Sequence, residues 1–410
     1  MSLPRLFRTA LLLALLTACN SRQNDSATTD PTAPPATTRP AAAPADSPGA
    51  WYRQYRGLLP GAADSITLQL QAWPRFTNDS ESAGVTGSYA GPDGQPFDLN
   101  GDYGIRHAPD SLVLIDYNPE HLAEGAQSGP VWRLHRQGRE LTGTVNGQPV
   151  RLREARPLGS LQLISKFYAD SVAAFPSRAG SPHAQLRLLA LQPAGLATGL
   201  LRDNLLRHLR GDTLENQPAP ALDELWQQRL AAYAKDYRLD AGERQQDMAG
   251  DSLPGYALRY DEQQLMHVYW NQAPLLSIGY FSYGYTGGAH GSYGTRVVSY
   301  DTRTGRPLPY EAIFRPEAKP QLVALLDRAA RRQLRLAPNA PLEGPLFVPH
   351  LPATHNVYLT SGGAVFVYSP YEIASFAQGE IRLFLPFSEL RPLLQPDLPV
   401  GTAADMAGPQ

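Results

Sequence analysis

Leu141-Thr142-Gly143-Thr144-Val145-Asn146-Gly147-Gln148-Pro149-Val150 reads as one tight β-hairpin. Asn-Gly is the strongest short hairpin signal, because it tolerates the positive φ angles of a type I′ turn. Upstream, Ser65-Ile66-Thr67-Leu68-Gln69-Leu70-Gln71 alternates apolar and polar residues with period two, as a half-buried strand does. Residues 111–117, 131–136 and 149–152 look similar, with turn residues at Pro92-Asp93-Gly94 and Gln137-Gly138. Strands at this spacing predict an all-β antiparallel domain over residues 51–155, a meander, sandwich or small barrel. A barrel could enclose a small ligand, but no convergent polar set argues for one. A structural or adhesive module is the favoured reading.

Residues 156–395 follow a different pattern. Strand-like runs at 160–164 and 183–192 precede two helices, near 194–209 and 219–237. Gly211 stands past the end of the first as a natural stop. Further strands are expected at 256–260, 265–270, 275–283 and 295–300, then a turn at Asp301-Thr302-Arg303-Thr304-Gly305. A third helix at 319–334 would bury Leu322, Leu325, Leu326 and Ala329, with arginines gathered toward its C-terminus. Strands at 357–360, 364–368 and 380–385 close the domain. Helices grouped between runs of strands predict an α+β fold.

The N-terminus carries an address. Arg5 and Arg8 precede an apolar run, Ala10 to Leu16, and then Leu16-Thr17-Ala18-Cys19. A positive flank, a short apolar core and small residues before a cut describe a secretory signal over residues 1–18, too short to span a bilayer. Leu-Thr-Ala-Cys is similar to the lipobox of bacterial lipoproteins, which makes Cys19, the chain's one cysteine, the expected lipidation site. The implied location is the bacterial cell envelope, held to the membrane by N-terminal acyl chains. Residues 20–50 are rich in Ala, Thr and Pro and lack Leu, Ile, Val, Phe, Tyr and Trp. They read as a disordered tether, which at ~3.1 Å per residue would reach roughly 90 Å. Residues 396–410 read as a disordered tail.

The bulk numbers narrow the function. A chain of 410 residues predicts more than one domain. A net charge of −2, from 36 Lys and Arg against 38 Asp and Glu, gives no electrostatic case for nucleic acid. Phosphate-cradling loops are missing, and no cofactor is expected. A metal site is disfavoured: His350 and His355 stand five apart without a His-Glu-x-x-His pattern, and His267 reads as a packed or surface histidine in a strand.

Tyr283-Gly284-Tyr285-Thr286-Gly287-Gly288-Ala289-His290-Gly291 stands between two strand-like runs. Its glycines permit left-handed φ and close backbone approach. Downstream stand Val365-Phe366-Val367-Tyr368-Ser369-Pro370-Tyr371-Glu372-Ile373-Ala374-Ser375-Phe376 and Leu383-Phe384-Leu385-Pro386-Phe387. Together these stretches resemble the extracytoplasmic domain of the RsiV-like family, over roughly residues 157–394. That family includes the lysozyme-sensing anti-sigma factor and modules attached to peptidoglycan deacetylases. The resemblance implies an α+β fold and, as partner, a lysozyme-like protein or peptidoglycan. The anti-sigma factors' sigma-binding segment and membrane-spanning helix have no counterpart here, so holding a sigma factor in the cytoplasm is not expected.

Tyr283, Tyr285, Gly287, Gly288, His290, Tyr371 and Glu372 are the candidate binding residues. Tyrosines offer apolar area and a hydroxyl at low entropic cost, although alternating tyrosines also simply cover a sheet face. His290 could be a base or ligand at the glycine-lined opening; pinning its loop by ring hydrogen bonds to the backbone is the favoured role. Glu372 fits the start of a short helix after Pro370. A cell-wall hydrolase using His290, Ser292 and Glu372 is one alternative, although Ser292 lacks a Gly-x-Ser-x-Gly elbow. A purely structural envelope protein is another. A non-enzymatic envelope binding lipoprotein is the leading expectation.

Overall fold

The computed structural model describes residues 45–74, 84–101, 110–122, 129–195, 199–211, 219–247 and 255–400. The expected signal peptide, Cys19, the tether up to residue 44 and the tail from residue 401 lie outside the described residues. The described residues belong to one compact unit.

Eight antiparallel strands form a closed barrel in sequence order: β1 (Trp51–Leu58), β2 (Ser65–Trp73), β3 (Gly84–Ala90), β4 (Pro96–Gly101), β5 (Ser111–Asp116), β6 (Val131–Gln137), β7 (Glu140–Val145) and β8 (Gln148–Glu154). The ring closes where Tyr55 and Arg56 of β1 pair with Glu154 and Arg153 of β8. The expected hairpin joins β7 to β8: Val145 pairs with Gln148, and Asn146 and Gly147 take φ of 49° and 80°. Alternate residues fill the interior, among them Tyr55, Leu68, Leu70, Leu99, Leu114 and Trp132. Eight strands leave a bore that side chains just fill, so this interior is a packed core.

A six-stranded sheet follows, ordered β14-β13-β12-β11-β10-β9. Its strands are β9 (Leu163–Ala173), β10 (His183–Pro193), β11 (Tyr260–Gln272), β12 (Leu275–Thr286), β13 (Ser292–Asp301) and β14 (Pro307–Leu308). β10 and β11 run parallel, and α1 (Gly199–Arg210) and α2 (Leu222–Asp247) lie between them in sequence. α1 ends at Gly211, φ 79°, as its sequence predicts. Even-numbered residues of the sheet, including Leu186, Leu188, Met266, Val268, Ile278 and Tyr280, pack against α1 and α2. Odd-numbered residues point the other way. There they meet the barrel wall and a three-stranded sheet of β15 (Val357–Leu359), β16 (Gly363–Tyr368) and β17 (Ile381–Pro386). Two single-turn helices, α3 (Tyr310–Ile313) and, past β17, α5 (Phe387–Leu390), flank that sheet, and α4 (Lys319–Gln333) buries its predicted leucine stripe in the same core.

Several sequence expectations change. The strand expected at 160–164 begins at Leu163 and runs to Ala173, and the one expected from 256 is a 3-10 turn over Gly255–Leu258. Residues 370–374 form a turn, so Glu372 starts no helix; its Oε2 accepts a hydrogen bond from Ser369 N at 2.9 Å. The end of the expected tether is also ordered. Asp46 Oδ1 accepts from Ser165 N at 2.8 Å and Ser47 Oγ from Phe167 N at 3.0 Å, capping the free edge of β9. Short polar side chains suffice for that job, which a search for buriable apolar residues does not detect. Leu398, expected in a disordered tail, packs onto the C-terminal core.

Candidate functional site

A cavity of about 1030 Å³ opens where the barrel meets the odd-numbered face of the six-stranded sheet. β2 and β3 supply one wall; β11, β12 and β13 supply the floor; residues around β17 supply the rim. Its size stands at the upper end of small-molecule pockets.

A row of aromatic rings runs along it. Trp73 is 6.2 Å from His267, His267 is 5.8 Å from Phe281, Phe281 is 6.1 Å from Tyr293, and Tyr293 is 5.5 Å from Phe376, centroid to centroid. Strand register sets the row. Leu265 pairs with Phe281 and Phe281 with Thr295, while Tyr283 pairs with Tyr293, so all face the cavity together. Trp73 lies flat over its cross-strand partner Gly84, where an added Cβ would come within 1.9 Å of the indole. His267 sits between Trp73 and Phe281 with its Nε2 buried and without a hydrogen-bond partner. Burial, aided by the charge of Arg382, pushes this histidine down to about 3, so at neutral pH it is an uncharged ring.

The polar end of the cavity is built around Arg382. Its guanidinium pairs with Asp98 of the barrel and donates to Glu380 Oε2 at 2.9 Å and to Tyr269 Oη at 2.7 Å. Burial opposes its charge, but Asp98, Tyr269 and Glu380 hold the guanidinium well above its ordinary value. Thr295 Oγ1 donates to Glu380 Oε2 at 3.0 Å.

The structure does not gather the candidate residues into one site. Tyr283 lines the cavity. Gly287 and Gly288 adopt φ of 85° and 106°, the left-handed geometry expected of the glycine loop, and Tyr285 Oη donates to Gly288 O at 3.0 Å. His290 is exposed; its Nδ1 lies 2.8 Å from Gly291 O, and its ring stacks on Phe376 at 4.4 Å. Tyr371 reaches the same Phe376 at 5.6 Å, is 59% exposed and holds a φ of 68°. Phe376 thus joins the two motifs. Glu372 and Ser292 line a second, open groove with Tyr283, and no hydrogen bond joins His290, Ser292 and Glu372. Tyr280, on the same strand as Tyr283, points instead under α1 and bonds Tyr300 Oη at 2.6 Å. His350 lies against Asp327 at 2.6 Å and His355 stacks on Tyr310 at 4.2 Å; among the described residues no three His, Cys, Asp or Glu gather to hold a metal.

Sequence reasoning missed Trp73, Asp98, Phe281, Glu380 and Arg382. Glu380 and Arg382 carry a usable signal: two charges spaced i, i+2 at the head of an otherwise apolar strand share one face. Trp73 and Asp98 carry none, because their partners lie about two hundred residues or more away.

Fold and cleft define a two-part class: an antiparallel eight-stranded barrel followed by a helix-and-strand region. Residues 311–388 match the family described as "Protein of unknown function (DUF3298)". A DUF3298 family protein from Bacteroides fragilis shares the fold, with a TM-score of 0.53 and 22% identity over 61% of this chain and 98% of that one. A DUF3298 family protein from Pseudomonas aeruginosa aligns with a TM-score of 0.43 and 21% identity, over 59% and 98% of the two chains. Comparison with curated proteins gives no match. The matched segment carries Phe376, Glu380 and Arg382; Trp73 and Asp98 come from the barrel. Among the described residues, no helix is long and apolar enough to cross a membrane.

Proposed function

We propose that this protein is a lipid-anchored, non-enzymatic binding module of the bacterial cell envelope, and that its cleft holds a glycan fragment of peptidoglycan. The row of rings from Trp73 to Phe376 carries this reading. A sugar ring offers an apolar C–H face and a polar rim. The cavity offers aromatic faces flanked by Tyr283, Thr295 and Arg382. The lipobox-like Leu16-Thr17-Ala18-Cys19 supports the envelope location, and the RsiV-like motifs support a cell-wall context. The hydrogen bonds of His290 and Glu372 go to backbone, which suits positioning better than proton transfer. Calorimetric titration with soluble muropeptides tests the proposal. Saturable binding is expected, weakened about tenfold by Tyr293→Ala, which removes one ring and about 1.4 kcal/mol. Equal binding by the variant would move the ligand out of the cleft.

A lysozyme-like protein is the second reading, favoured by Tyr371. An exposed aromatic held at positive φ is the kind of strain that marks contact surfaces. Tyr371→Ala would then abolish capture of lysozyme and leave muropeptide binding in place.

A further inference from the structure

The charges at the polar end of the cleft do not balance. Asp98 and Glu380, with side chains 26% and 10% exposed, share the single guanidinium of Arg382, itself 20% exposed. Arg187 also lines the cavity, but it forms an ion pair with Asp261. Glu380 spends one oxygen on Thr295 and Arg382; its Oε1 is buried and makes no hydrogen bond. An unpaired oxygen on a buried carboxylate is costly, and in a semi-enclosed site it attracts a cation that can also donate. Asp98 reports the same excess. Burial raises its carboxyl, and repulsion from Glu380 and Asp116 adds to that against the pull of Arg382.

We propose that the ligand of this cleft carries a primary ammonium group, which supplies the second positive charge beside Glu380 and, once that carboxylate turns toward the opening, donates to its unpaired oxygen. The proposal rests on the glycan reading of the cleft and makes it specific: the sugar rings stack along the aromatic row, and the amine sits at the Arg382 end. Cell-wall material offers two sources of such an amine, a de-N-acetylated amino sugar or the free amine of a diamino acid in the peptide stem.

Three probes separate the outcomes: a β-1,4 glucosamine tetramer, its fully N-acetylated counterpart, and a sugar-free stem peptide with a free diamino-acid amine. At low salt the glucosamine tetramer is expected to bind at least tenfold tighter than the acetylated one. That preference shrinks at 1 M salt, where screening acts over about 3 Å. Glu380→Gln, which keeps the shape, should cut the preference below threefold. Asp98→Asn should lower it too and serves if the first variant does not fold. A stem peptide whose binding depends on Glu380 would assign the amine to the peptide. Equal affinity for amine and acetylated tetramers overturns the proposal and leaves the aromatic cleft standing. Silence from all three probes removes the cleft reading itself.

Discussion

His267 shows how a residue acquires a role that its type does not announce. An isolated histidine titrates near neutrality. Here Trp73 and Phe281 flank the ring, and burial holds it near 3. The unfolded chain therefore binds a proton that the native state refuses between about pH 6.5 and 3, so stability falls as pH drops through that window. His267→Phe keeps a ring in place and removes the titration. It should retain on the order of 3 kcal/mol more stability than the wild type on going from pH 7 to pH 4, read from urea melts. A parallel loss in both proteins would contradict the burial of the neutral ring. His290 lies at the other end of the row, where its stack on Phe376 ties the glycine loop to the turn after β16. His290→Ala should cost about 1 kcal/mol by calorimetry. Unchanged stability with lost ligand binding would make His290 a contact residue instead of a positioning one.

Among elements, β11 explains why barrel and sheet act together. β10 pairs with β11 only as far as Leu265. Beyond that point, Gln71 of β2 takes over the ladder: its Nε2 donates to Met266 O at 2.9 Å, and its Oε1 accepts from Val268 N at 2.7 Å. Gln54 of β1 continues with Asn271 O at 2.9 Å. Gln71→Leu leaves two buried backbone groups unsatisfied and should cost about 2–4 kcal/mol, measured by denaturant midpoint at constant slope. A loss under 0.5 kcal/mol would show that the barrel is only loosely docked. The period-two pattern of β2 made the strand legible, and Asn146-Gly147 made the hairpin legible. The same pattern assigned Gln69 and Gln71 to a polar outer face, yet both are buried. Alternation reports which side is polar; it does not report whether another element covers that side. The glycine loop and the Tyr371 turn were legible as candidates because both are local. The cleft between them and the barrel was not, since it depends on contacts such as Arg382 with Asp98 across 284 positions.

For the whole molecule, the consequence is a site that neither half contains alone. Trp73 and Asp98 come from the barrel, Phe281 and Tyr293 from the large sheet, and Phe376 and Glu380 from the link between β16 and β17 of the small one. A ligand bridging these parts stabilises all of them at once, by about 2.7 kcal/mol at a hundredfold excess over Kd. The expected Cys19 anchor and the Pro-rich tether after it would present this body to the wall from one membrane face. A crystal structure of the protein with a bound muropeptide decides between these possibilities. Sugar rings are expected along the line from Trp73 to Phe376, with an amine beside Glu380. A ligand bound outside the cleft, or a cleft left unchanged at saturating muropeptide, would contradict that placement.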